Sequence, residues 1–368
     1  MKKKIAVLIP DGEDDRALIV VRSLAYSKQI VTHILSSEYK SVHLSFFCYF
    51  HKLNKTEVSD ESRLKRLVEI SSKHKIEVLL PIGQKGVEFV ISNYDYLKSK
   101  FKIPPLPAKS VFDIVKDKWT LNKFCMENDL SGLESILIQD IDYKPANLSV
   151  FLGPVLLKPK FGEGGLGIKY FESGSILLNE LNEKHKFLAG KGYIAQEYID
   201  GEVISFSAYC LDGKVLAHTI HHPAKGHLRS FVFAKVIEFI ENEEVLKYGQ
   251  VLLSKLNWSG IANMDLIRSN ENNKIYILDF NPRYFGTMLG TTVSGINYPL
   301  LACLKAMGVS FSKPEYEKII FGTYNGKEIF AWLKDRKKKK PVPFKHTNLP
   351  FLLKDPIPGL ALNLKKIF

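Results

Sequence analysis

The sequence predicts an α/β domain followed by an α+β domain. Three observations lead to this: strand and helix patterns that alternate from residue 4 to 99, a Pro-rich boundary at 103–107, and strand pairs joined by polar turns from about residue 150. Alternation of the first kind indicates a parallel sheet with helices on its faces. Paired strands downstream indicate antiparallel hairpins. A chain of 368 residues is long enough for two or three such units.

The N-terminal unit is predicted to alternate regularly. A short apolar stretch that ends at Pro10 is a buried strand, and a second one ends at Pro81. Between them, apolar residues recur at nearly helical spacing. The predicted elements are strands at 4–9, 42–48 and 76–80 and helices at 14–28, 60–74 and 84–99.

The second unit mixes hairpins with helices. A helix is predicted from Val111 to Asp129, with Asp117 as an internal N-cap. The pair Asp212-Gly213 between two β-rich runs is a strong signal for a two-residue hairpin turn. The other predicted elements are strands at 155–159, 168–171, 192–199, 202–210 and 214–221 and helices at 175–189 and 241–257.

The composition favours a soluble protein of the cytoplasm. Hydrophobic residues make up 45% and charged residues 25% of the chain, which is ordinary for a globular protein. No apolar run approaches the length of about 18 residues that a membrane span requires. The four cysteines have neither metal-type nor disulfide-type spacing, so a reducing compartment is the default.

Positive charge is concentrated near the C-terminus. The net charge is +13, and ten Lys and Arg against two Asp between Lys334 and Lys366 account for +8 of it. The run Arg336–Lys340 could contact nucleic acid or an anionic membrane surface. It is interleaved with Pro rather than with aromatic residues, so a solvated segment is the favoured interpretation and nucleic acid is not an expected partner.

Two carboxylates in one predicted hairpin are the best indication of chemistry. A turn centred near Asn272 places Asp265 directly opposite Asp279, and Asn281 and Arg283 follow on the same face. Like charges in opposed positions are unfavourable unless a cation lies between them. Oxygen ligands without His or Cys suit Mg²⁺, which binds through one or two carboxylates together with substrate phosphates. The sequence therefore predicts a metal site at Asp265, Asp279 and Asn281.

A glycine-rich segment from Gly162 to Gly167 follows Lys158. Its letters match G-x-G-x-x-G, but a dinucleotide fingerprint requires a helix directly afterwards, and the next residues are strand-like. A P-loop would need Gly-Lys-Ser/Thr, and the other protein-kinase motifs are absent. What remains is a glycine flap between two strands, whose N–H groups can approach phosphates, or a plain flexible turn.

Lys158 with its glycine flap and the carboxylate hairpin, in this order along the chain, resemble the ATP-grasp superfamily. The resemblance covers residues 1–300. The run Asp279–Gly286 is similar to the E-x-N-P-R-F-W-G motif of its carbamoyl-phosphate-synthase-like carboxylate–amine ligases, and Asp355–Pro358 is also similar to that subgroup. The resemblance implies an N-terminal parallel α/β (pre-ATP-grasp) domain followed by a two-subdomain ATP-grasp fold. The implied boundaries are 1–106 for the first domain, 107–190 for the small subdomain with the flap, 191–310 for the large subdomain with the hairpin, and 311–368 for a basic extension.

The resemblance also implies roles for individual residues. Arg283 and Lys158 would be catalytic, and Asp265, Asp279 and Asn281 would hold Mg²⁺, or Mn²⁺ in its place. ATP would be bound by two lysines, the glycine flap, a hinge and a ribose-binding carboxylate, which are Lys118, Lys158, Gly162, Gly164, Gly165, Gly167, Glu197, Tyr198, Ile199 and Glu202.

The function that follows is an ATP-dependent ligase. It would activate a carboxylate as an acyl phosphate for attack by an amine or a thiol, giving ADP and phosphate. The alternatives are a small-molecule kinase of the same fold and a non-enzymatic nucleotide-binding protein with a basic docking tail. The expected partners are a small carboxylate and an amine, with a homodimer as the default assembly. The His218–Arg229 cluster is either a loop that contacts an anionic substrate or a solvated lid.

Overall fold

Three β-sheets form the framework of the chain. The computed structural model describes residues 4–54, 59–138, 146–162, 164–183, 192–224, 234–325 and 342–359. One sheet has four parallel strands, one has six antiparallel strands and one has four antiparallel strands. This is the predicted combination of an α/β unit with an α+β unit. Within the described ranges, no helix is both long enough and apolar enough to cross a membrane.

The parallel sheet belongs to the N-terminal unit and has the strand order β3-β2-β1-β4. Its strands are β1 (Ile5–Ile9), β2 (Ile30–Ser36), β3 (Cys48–Lys52) and β4 (Val78–Leu79). The accompanying helices are α1 (Ala17–Tyr26), α2 (Asp60–His74), α3 (Gln84–Ser92) and α4 (Tyr94–Leu97). α1 packs on one face, and α2 packs on the other.

Two predictions for this unit are wrong. The strand expected at 42–48 is a 3-10 turn at Ser41–Leu44, and the strand begins only at Cys48. Val42 is apolar because it packs into the core beside α1, not because it joins the ladder. The expected helix at 84–99 is interrupted at Asn93, whose side-chain amide donates to the Phe89 carbonyl. β2, a buried β-branched run, was not predicted.

The four-stranded antiparallel sheet carries the glycine segment. In chain order the elements are α5 (Lys109–Lys116), α6 (Lys118–Glu127), β5 (Ser135–Ile138), β6 (Val155–Pro159), β7 (Lys169–Phe171), α7 (Gly174–Glu183) and β8 (Tyr193–Glu197). The strand order is β5-β8-β6-β7. The predicted helix 111–129 is divided at Asp117, whose carboxylate accepts from the Trp119 amide as the expected N-cap.

The six-stranded sheet carries the carboxylate hairpin. Its strands are β9 (Gly201–Leu211), β10 (Lys214–Pro223), β11 (Val236–Phe239), β12 (Gly260–Ser269), β13 (Ile275–Asn281) and β14 (Ile320–Gly322). The helices in this part are α8 (Glu243–Lys255), α9 (Met288–Ser294), α10 (Tyr298–Ala306) and α11 (Leu349–Lys354). The strand order is β13-β12-β9-β10-β11-β14. The hairpin predicted at Asp212-Gly213 is the turn between β9 and β10.

Residues on opposite sides of two predicted domain boundaries pack against each other. The boundaries themselves remain predictions. Phe112 of α5 and Leu121 of α6 share an apolar core with Phe206 and Phe280 of the six-stranded sheet. β14, from the expected C-terminal extension, pairs with β11 of the same sheet. The basic run Arg336–Lys340 lies outside the described residues.

A buried ion pair attaches the C-terminal segment to the N-terminal unit. Asp355, which follows α11, is fully buried and accepts from Nε of Arg22 on α1 at 3.1 Å. The Ser45 hydroxyl donates to the same carboxylate at 2.9 Å, and so does the Phe46 amide. Arg22 also donates to the Asp355 carbonyl at 2.7 Å. This carboxylate therefore holds three parts of the chain together.

We expect Asp355→Asn to destabilise the protein by about 3–5 kcal/mol, because the change leaves the Arg22 guanidinium buried without its counter-charge. Urea unfolding followed by circular dichroism measures the effect. Asp95→Asn removes a carboxylate whose side chain is 92% exposed in its pair with Lys98 and is the matched control. Equal stability of the Asp355→Asn variant and the wild-type chain would contradict the proposed anchoring role.

Candidate active site

The register of β12 and β13 brings the predicted carboxylates together. Asp265 is paired with Asp279, and Asn263 with Asn281, so all four side chains lie on one face. This confirms the predicted pairing and the shared face. A β-bulge after Asp265 shifts the register by one residue toward the turn, but it leaves the pairing at the carboxylates unchanged.

The Asp265 carboxylate bears an electrostatic cost. Burial raises the pKa of Asp265 to about 6, and the charge of Asp279 raises it further. The Ser205 hydroxyl, opposite on β9, donates to Asp265 at 2.9 Å and opposes the rise, as do Arg283 and Lys118. Removal from water is therefore the main cost at Asp265, and the Ser205 hydroxyl and the neighbouring cations offset only part of it.

Two lysines from the neighbouring elements face the hairpin. The Lys118 ammonium, at the start of α6, lies 3.1 Å from an Asp279 carboxylate oxygen and donates to the Gly162 carbonyl at 3.0 Å. Lys158 is 3% exposed on β6. Burial lowers the pKa of Lys158 to about 8, with Asp279 opposing and Lys118 adding to the fall. Both predicted lysines thus meet the predicted carboxylates across the space between the two antiparallel sheets.

A row of polar side chains connects Asn281 with its surroundings. Arg283 is 4% exposed, and its Nη2 donates to Oδ1 of Asn281 at 2.7 Å, while Nη1 donates to the Tyr284 carbonyl at 3.0 Å. Asn281 donates to Asn263, which in turn donates to Ser207. The oxygen that Asn281 would offer to a metal is therefore shared with the Arg283 guanidinium.

The sequence analysis missed the supporting residues of this face. Asn263 could have been found, because it lies two residues before Asp265 and shares its face. Ser205 and Ser207 are visible only through the pairing of β9 with β12.

The glycine flap begins at a fixed point. Lys160 pairs with the Asp117 carboxylate at 2.9 Å, and its carbonyl accepts from the Lys118 amide at 3.1 Å. These two contacts hold the first residues of the flap against the N-terminus of α6. Gly162, Gly164, Gly165 and Gly167 all have φ between +64° and +141°, which other residues adopt at a cost. Glu163 lies outside the described residues. At Gly162 the flap therefore presents a backbone carbonyl to Lys118.

The hinge residues use several of their polar groups internally. The Glu197 carboxylate accepts from the Glu134 amide at 2.7 Å, and the Tyr198 amide donates to the Pro154 carbonyl at 3.0 Å. Oε1 of Glu197 and the Tyr198 N–H are therefore already engaged within the protein. The contact of Glu197, Tyr198 and Ile199 with adenine stays a prediction.

A cavity of about 310 Å³ lies beside the hinge. It is lined by Tyr198, Ile199, Asp200, Ser269, Asn270 and Glu271. At a strand rise of about 3.4 Å per residue, Asn270 is roughly 17 Å along β12 from Asp265. The hinge cavity and the charged cluster are thus two ends of one hairpin.

The predicted ribose carboxylate already has a partner. Glu202, on β9, accepts from Nδ1 of His222 at 2.8 Å, and Nε2 of His222 lies 3.5 Å from Glu238. The other two described histidines of the His218–Arg229 cluster are interior. Burial lowers the pKa of His218 and of His221 to about 4, so both are neutral at pH 7. Residues 225–229 lie outside the described ranges.

The parallel sheet meets the cluster through the loop after β4. The Tyr284 amide, next to Arg283, donates to the Ile82 carbonyl at 3.1 Å. On the other side of this loop the buried Asp11 carboxylate accepts from the Gly83 amide at 2.7 Å and from the Ile82 amide. Ligands of open α/β sheets bind at such carboxyl ends of strands.

The donor set of the hairpin fits a divalent cation. Two facing carboxylates offer hard oxygen ligands, and the raised pKa of Asp265 shows that burial and the charge of Asp279 outweigh the Ser205 hydrogen bond and the charges of Arg283 and Lys118. Asp265 and Asp279 suit Mg²⁺ once Lys118 leaves the Asp279 oxygen that lies 3.1 Å from its ammonium. Asn281 could join them only if Arg283 released its oxygen.

Comparison with known proteins gives one family and several relatives. Residues 191–324 match the family described as ATP-grasp in the biosynthetic pathway with Ter operon. The D-aspartate ligase of Enterococcus faecium is 23% identical over 283 residues, which are 72% of this chain and 65% of that protein. The carbamoyl phosphate synthase large chain of Caldanaerobacter subterraneus subsp. tengcongensis is 22% identical over 267 residues, or 69% of this chain and 24% of that protein. The chain therefore spans just under two thirds of the first relative and about a quarter of the second.

A solved structure shares the fold. The N5-carboxyaminoimidazole synthetase from Staphylococcus aureus complexed with ADP has a TM-score of 0.67 and 13% identity, with 92% of this chain and 86% of that chain covered. This likeness confirms the predicted fold.

Asp11 gives a pH-dependent prediction. Burial raises its pKa to about 8; the bond from Gly83 opposes this and the charge of Asp14 adds to it. Between pH values of about 3.8 and about 8, the Asp11 carboxyl has lost its proton in the unfolded chain but keeps it in the folded chain. We therefore expect Asp11 to lower the free energy of unfolding as pH rises through this window.

Urea unfolding at pH 5 and pH 8 measures this slope, and Asp11→Asn should flatten it. Asp15→Asn, which changes a carboxylate of the same loop with an 87% exposed side chain, is the control and should keep the slope. An identical pH dependence in the Asp11→Asn variant and the wild-type chain would rule the explanation out.

Proposed function

We propose that this chain is an ATP-grasp protein and an ATP-dependent ligase that joins a carboxylate to an amine and forms ADP and phosphate. The observation that supports it most directly is the meeting of Asp265 and Asp279 with Lys118, Lys158 and Arg283. The first two come from the hairpin, the lysines come from α6 and β6, and the arginine follows β13. Elements from two sheets thus converge on one small volume.

The cluster has the charge that a triphosphate and a divalent cation would require. Three cationic side chains face two carboxylates, so binding of the cation by the carboxylates leaves the lysines and Arg283 for phosphate oxygens. Lys118 now pairs with Asp279 at 3.1 Å and would turn to phosphate when a cation takes its place. Because Lys118 also donates to the Gly162 carbonyl, the position of its ammonium would depend on the position of the flap.

Mg²⁺ would be held by Asp265 and Asp279, and Mn²⁺ could replace it. When bound, it supplies positive charge that offsets the negative charge on the phosphate oxygens. Ser205 fixes one oxygen of Asp265 by its 2.9 Å bond, which orients the carboxylate before any ligand arrives.

The nucleotide would lie along the hairpin. The base would occupy the cavity beside Tyr198 and Ile199, and the phosphates would reach Lys118 and Lys158 under the flap. The glycine backbone can approach phosphate oxygens because no side chain intervenes. Glu202 would accept hydrogen bonds from the ribose hydroxyls, either in place of its hydrogen bond from His222 or in addition to it.

Arg283 would lie between the phosphate end and the acceptor end. Its hydrogen bonds to Asn281 and to the Tyr284 carbonyl help to hold the planar guanidinium in one orientation. The adjoining loop at Ile82 and Gly83 is the edge of the parallel sheet where we place the carboxylate substrate. A guanidinium there can stabilise charge on the phosphoryl oxygens during transfer.

The reaction has two steps. A carboxylate oxygen of the substrate attacks the γ-phosphorus of ATP, and the bond to the β–γ bridging oxygen breaks, which releases ADP and leaves an acyl phosphate. The amine nitrogen then attacks the acyl carbon, phosphate leaves with the electron pair of the broken C–O bond, and the amine loses a proton. The buried Lys158, with its lowered pKa, stays close to the transferring group as a charge rather than as a base at pH 7.

The relatives support this reaction class. One is a D-aspartate ligase and another a carbamoyl phosphate synthase large chain, and the similar solved structure was obtained with ADP. An amino acid is accordingly our first choice for the amine substrate. A cytoplasmic location and a homodimer remain predictions.

We expect Asp279→Asn to lower ADP formation by about 10²–10³-fold while nucleotide binding stays largely intact, because the variant keeps the lysines and the hinge but loses a metal ligand and a charge. ADP release and binding of a fluorescent ATP analogue measure the two properties separately. Asp129→Asn is the matched control, since Asp129 is exposed and has a positive φ that Asn also tolerates. Undiminished ADP formation in the Asp279→Asn variant would refute the metal assignment.

A second experiment separates a ligase from a kinase. Carboxylates are incubated with ATP, Mg²⁺ and hydroxylamine, which converts an acyl phosphate into a stable hydroxamate. We expect a hydroxamate with the true substrate, and phosphate release that rises when an amino acid is added. A phosphorylated product that resists hydroxylamine would indicate a kinase instead, and ATP binding without turnover across the substrate set would favour a binding protein.

A further inference from the structure

We propose that His33, His51 and His74 form a binding site for Zn²⁺ or a similar transition-metal ion on the N-terminal unit, outside the candidate active site. One ring nitrogen of each residue can be chosen so that all three lie within 4.8 Å of one another. Of the residues that the structure describes, only these three histidines bring ligand nitrogens together in this way.

The fold places the three histidines from distant parts of the sequence. His33 is on β2 and His51 on β3, adjacent parallel strands, and His74 is the last residue of α2. α2 packs on the same face, since Leu67 shares a core with Leu35 of β2, two residues beyond His33. The end of the helix therefore comes to rest over the two strand histidines.

The imidazole rings of the three histidines already lie against one another. His33 Nδ1 lies 2.9 Å from His51 Nε2, and the two rings are nearly parallel at 11°. His74 lies 4.7 Å from His33 and 5.1 Å from His51 between ring centroids. For a metal with nitrogen bonds of about 2.0–2.1 Å, ligand nitrogens in a tetrahedron are roughly 3.3 Å apart. A modest rotation of the half-buried His51 and His74 would achieve this spacing.

The strand imidazoles are in the form that binds metal. Burial lowers the pKa of His33 to about 4, and His74 lowers it further. Burial also lowers the pKa of His51 to about 4, with His33, His74, Arg66 and Lys73 adding to the fall. Both rings are neutral at pH 7, and a metal ion bound between them would replace the hydrogen bond at 2.9 Å that joins His33 Nδ1 and His51 Nε2.

The surroundings select against hard cations. Arg66 and Lys73 are the charged neighbours of His51, and the cluster itself offers only imidazole nitrogen. Mg²⁺ and Ca²⁺ prefer oxygen ligands, whereas Zn²⁺, Cu²⁺ and Ni²⁺ bind imidazole well. The carbonyl end of α2 partly offsets the repulsion, because a helix C-terminus favours positive charge.

Three histidine ligands would leave a fourth tetrahedral position for water. His33 is 5% exposed, but His51 and His74 are only partly buried, so an ion has access from solvent. Three-histidine sites with an open position are typical of zinc centres that bind water or a small anion. Whatever occupies that position, the ion would also clamp the C-terminus of α2 to the sheet edge formed by β3.

The test uses the full chain without an affinity tag, freed of metal by a chelator and then dialysed. Zn²⁺ is titrated in competition with a coloured chelator, and Co²⁺ is added separately as a spectroscopic probe. We expect one equivalent of Zn²⁺, visible Co²⁺ absorption of a tetrahedral nitrogen site, and a thermal midpoint higher by about 5 °C at a hundredfold excess over Kd.

Substitutions identify the ligands. His74→Gln and His51→Gln should each weaken Zn²⁺ binding by more than the roughly 10–100-fold that loss of an outer hydrogen-bond partner causes. His43→Gln, in the same unit, and His346→Gln should bind as the wild-type chain does. His74→Gln changes a partly buried residue at a helix end, so it keeps the test available should His51→Gln fold poorly.

The carboxylate hairpin is the other site that could take up metal, so Asp279→Asn is titrated in parallel. The proposal is supported if the Asp279→Asn variant still binds one Zn²⁺ per chain and the histidine variants lose it. Absence of Zn²⁺ binding by the wild-type chain, or binding that the histidine variants do not weaken, overturns it. Either result leaves the ATP-dependent reaction untouched, because that reaction is tested at Asp279.

Discussion

Asp265 and Asp279 face each other across a hairpin, and Asp265 lies deep enough for burial to raise its pKa to about 6. Two opposed carboxylates are stable in such a place only when positive charge is supplied from elsewhere. Lys118 and Lys158 supply it from one side and Arg283 from the other. Much of the surrounding architecture follows from this requirement, because each of the three cations must be carried to the hairpin by a different element.

The same requirement explains why the sheets cooperate. Lys158 comes from the small antiparallel sheet and Lys118 from the helix that packs on the large one. Asp117 connects them, since it caps α6 and pairs with Lys160 at the root of the flap. The parallel sheet joins through Ile82 and Tyr284. The buried Asp355 then holds the C-terminal segment on the N-terminal unit.

The two candidate metal sites differ in the atoms that they offer. The hairpin presents carboxylate oxygen, which suits Mg²⁺ and the phosphates that accompany it. The cluster of His33, His51 and His74 presents imidazole nitrogen in a neighbourhood of positive charge. Hard and borderline ions would therefore separate between them by ligand chemistry alone. A protein that binds both could keep a structural ion apart from the ion of its reaction.

The sequence by itself determined the periodic and local features. Alternation predicted the parallel unit, Asp117 predicted a helix start, and the spacing about Asn272 predicted that Asp265 would oppose Asp279; all three agree with the structure. These features depend on neighbours along the chain or across one turn, where residue spacing sets geometry.

Only the tertiary structure decided what depends on distant pairing. Cys48–Lys52 rather than 42–48 became the strand because it lies in register with β2, and the Glu197 side chain was committed to the Glu134 amide by the pairing of separate segments. The three histidines are 18 and 23 positions apart in sequence, with no metal-type spacing, and they meet only because α2 folds over β2 and β3. Such contacts arise from burial and packing across the sheets, and no local pattern of residues encodes them.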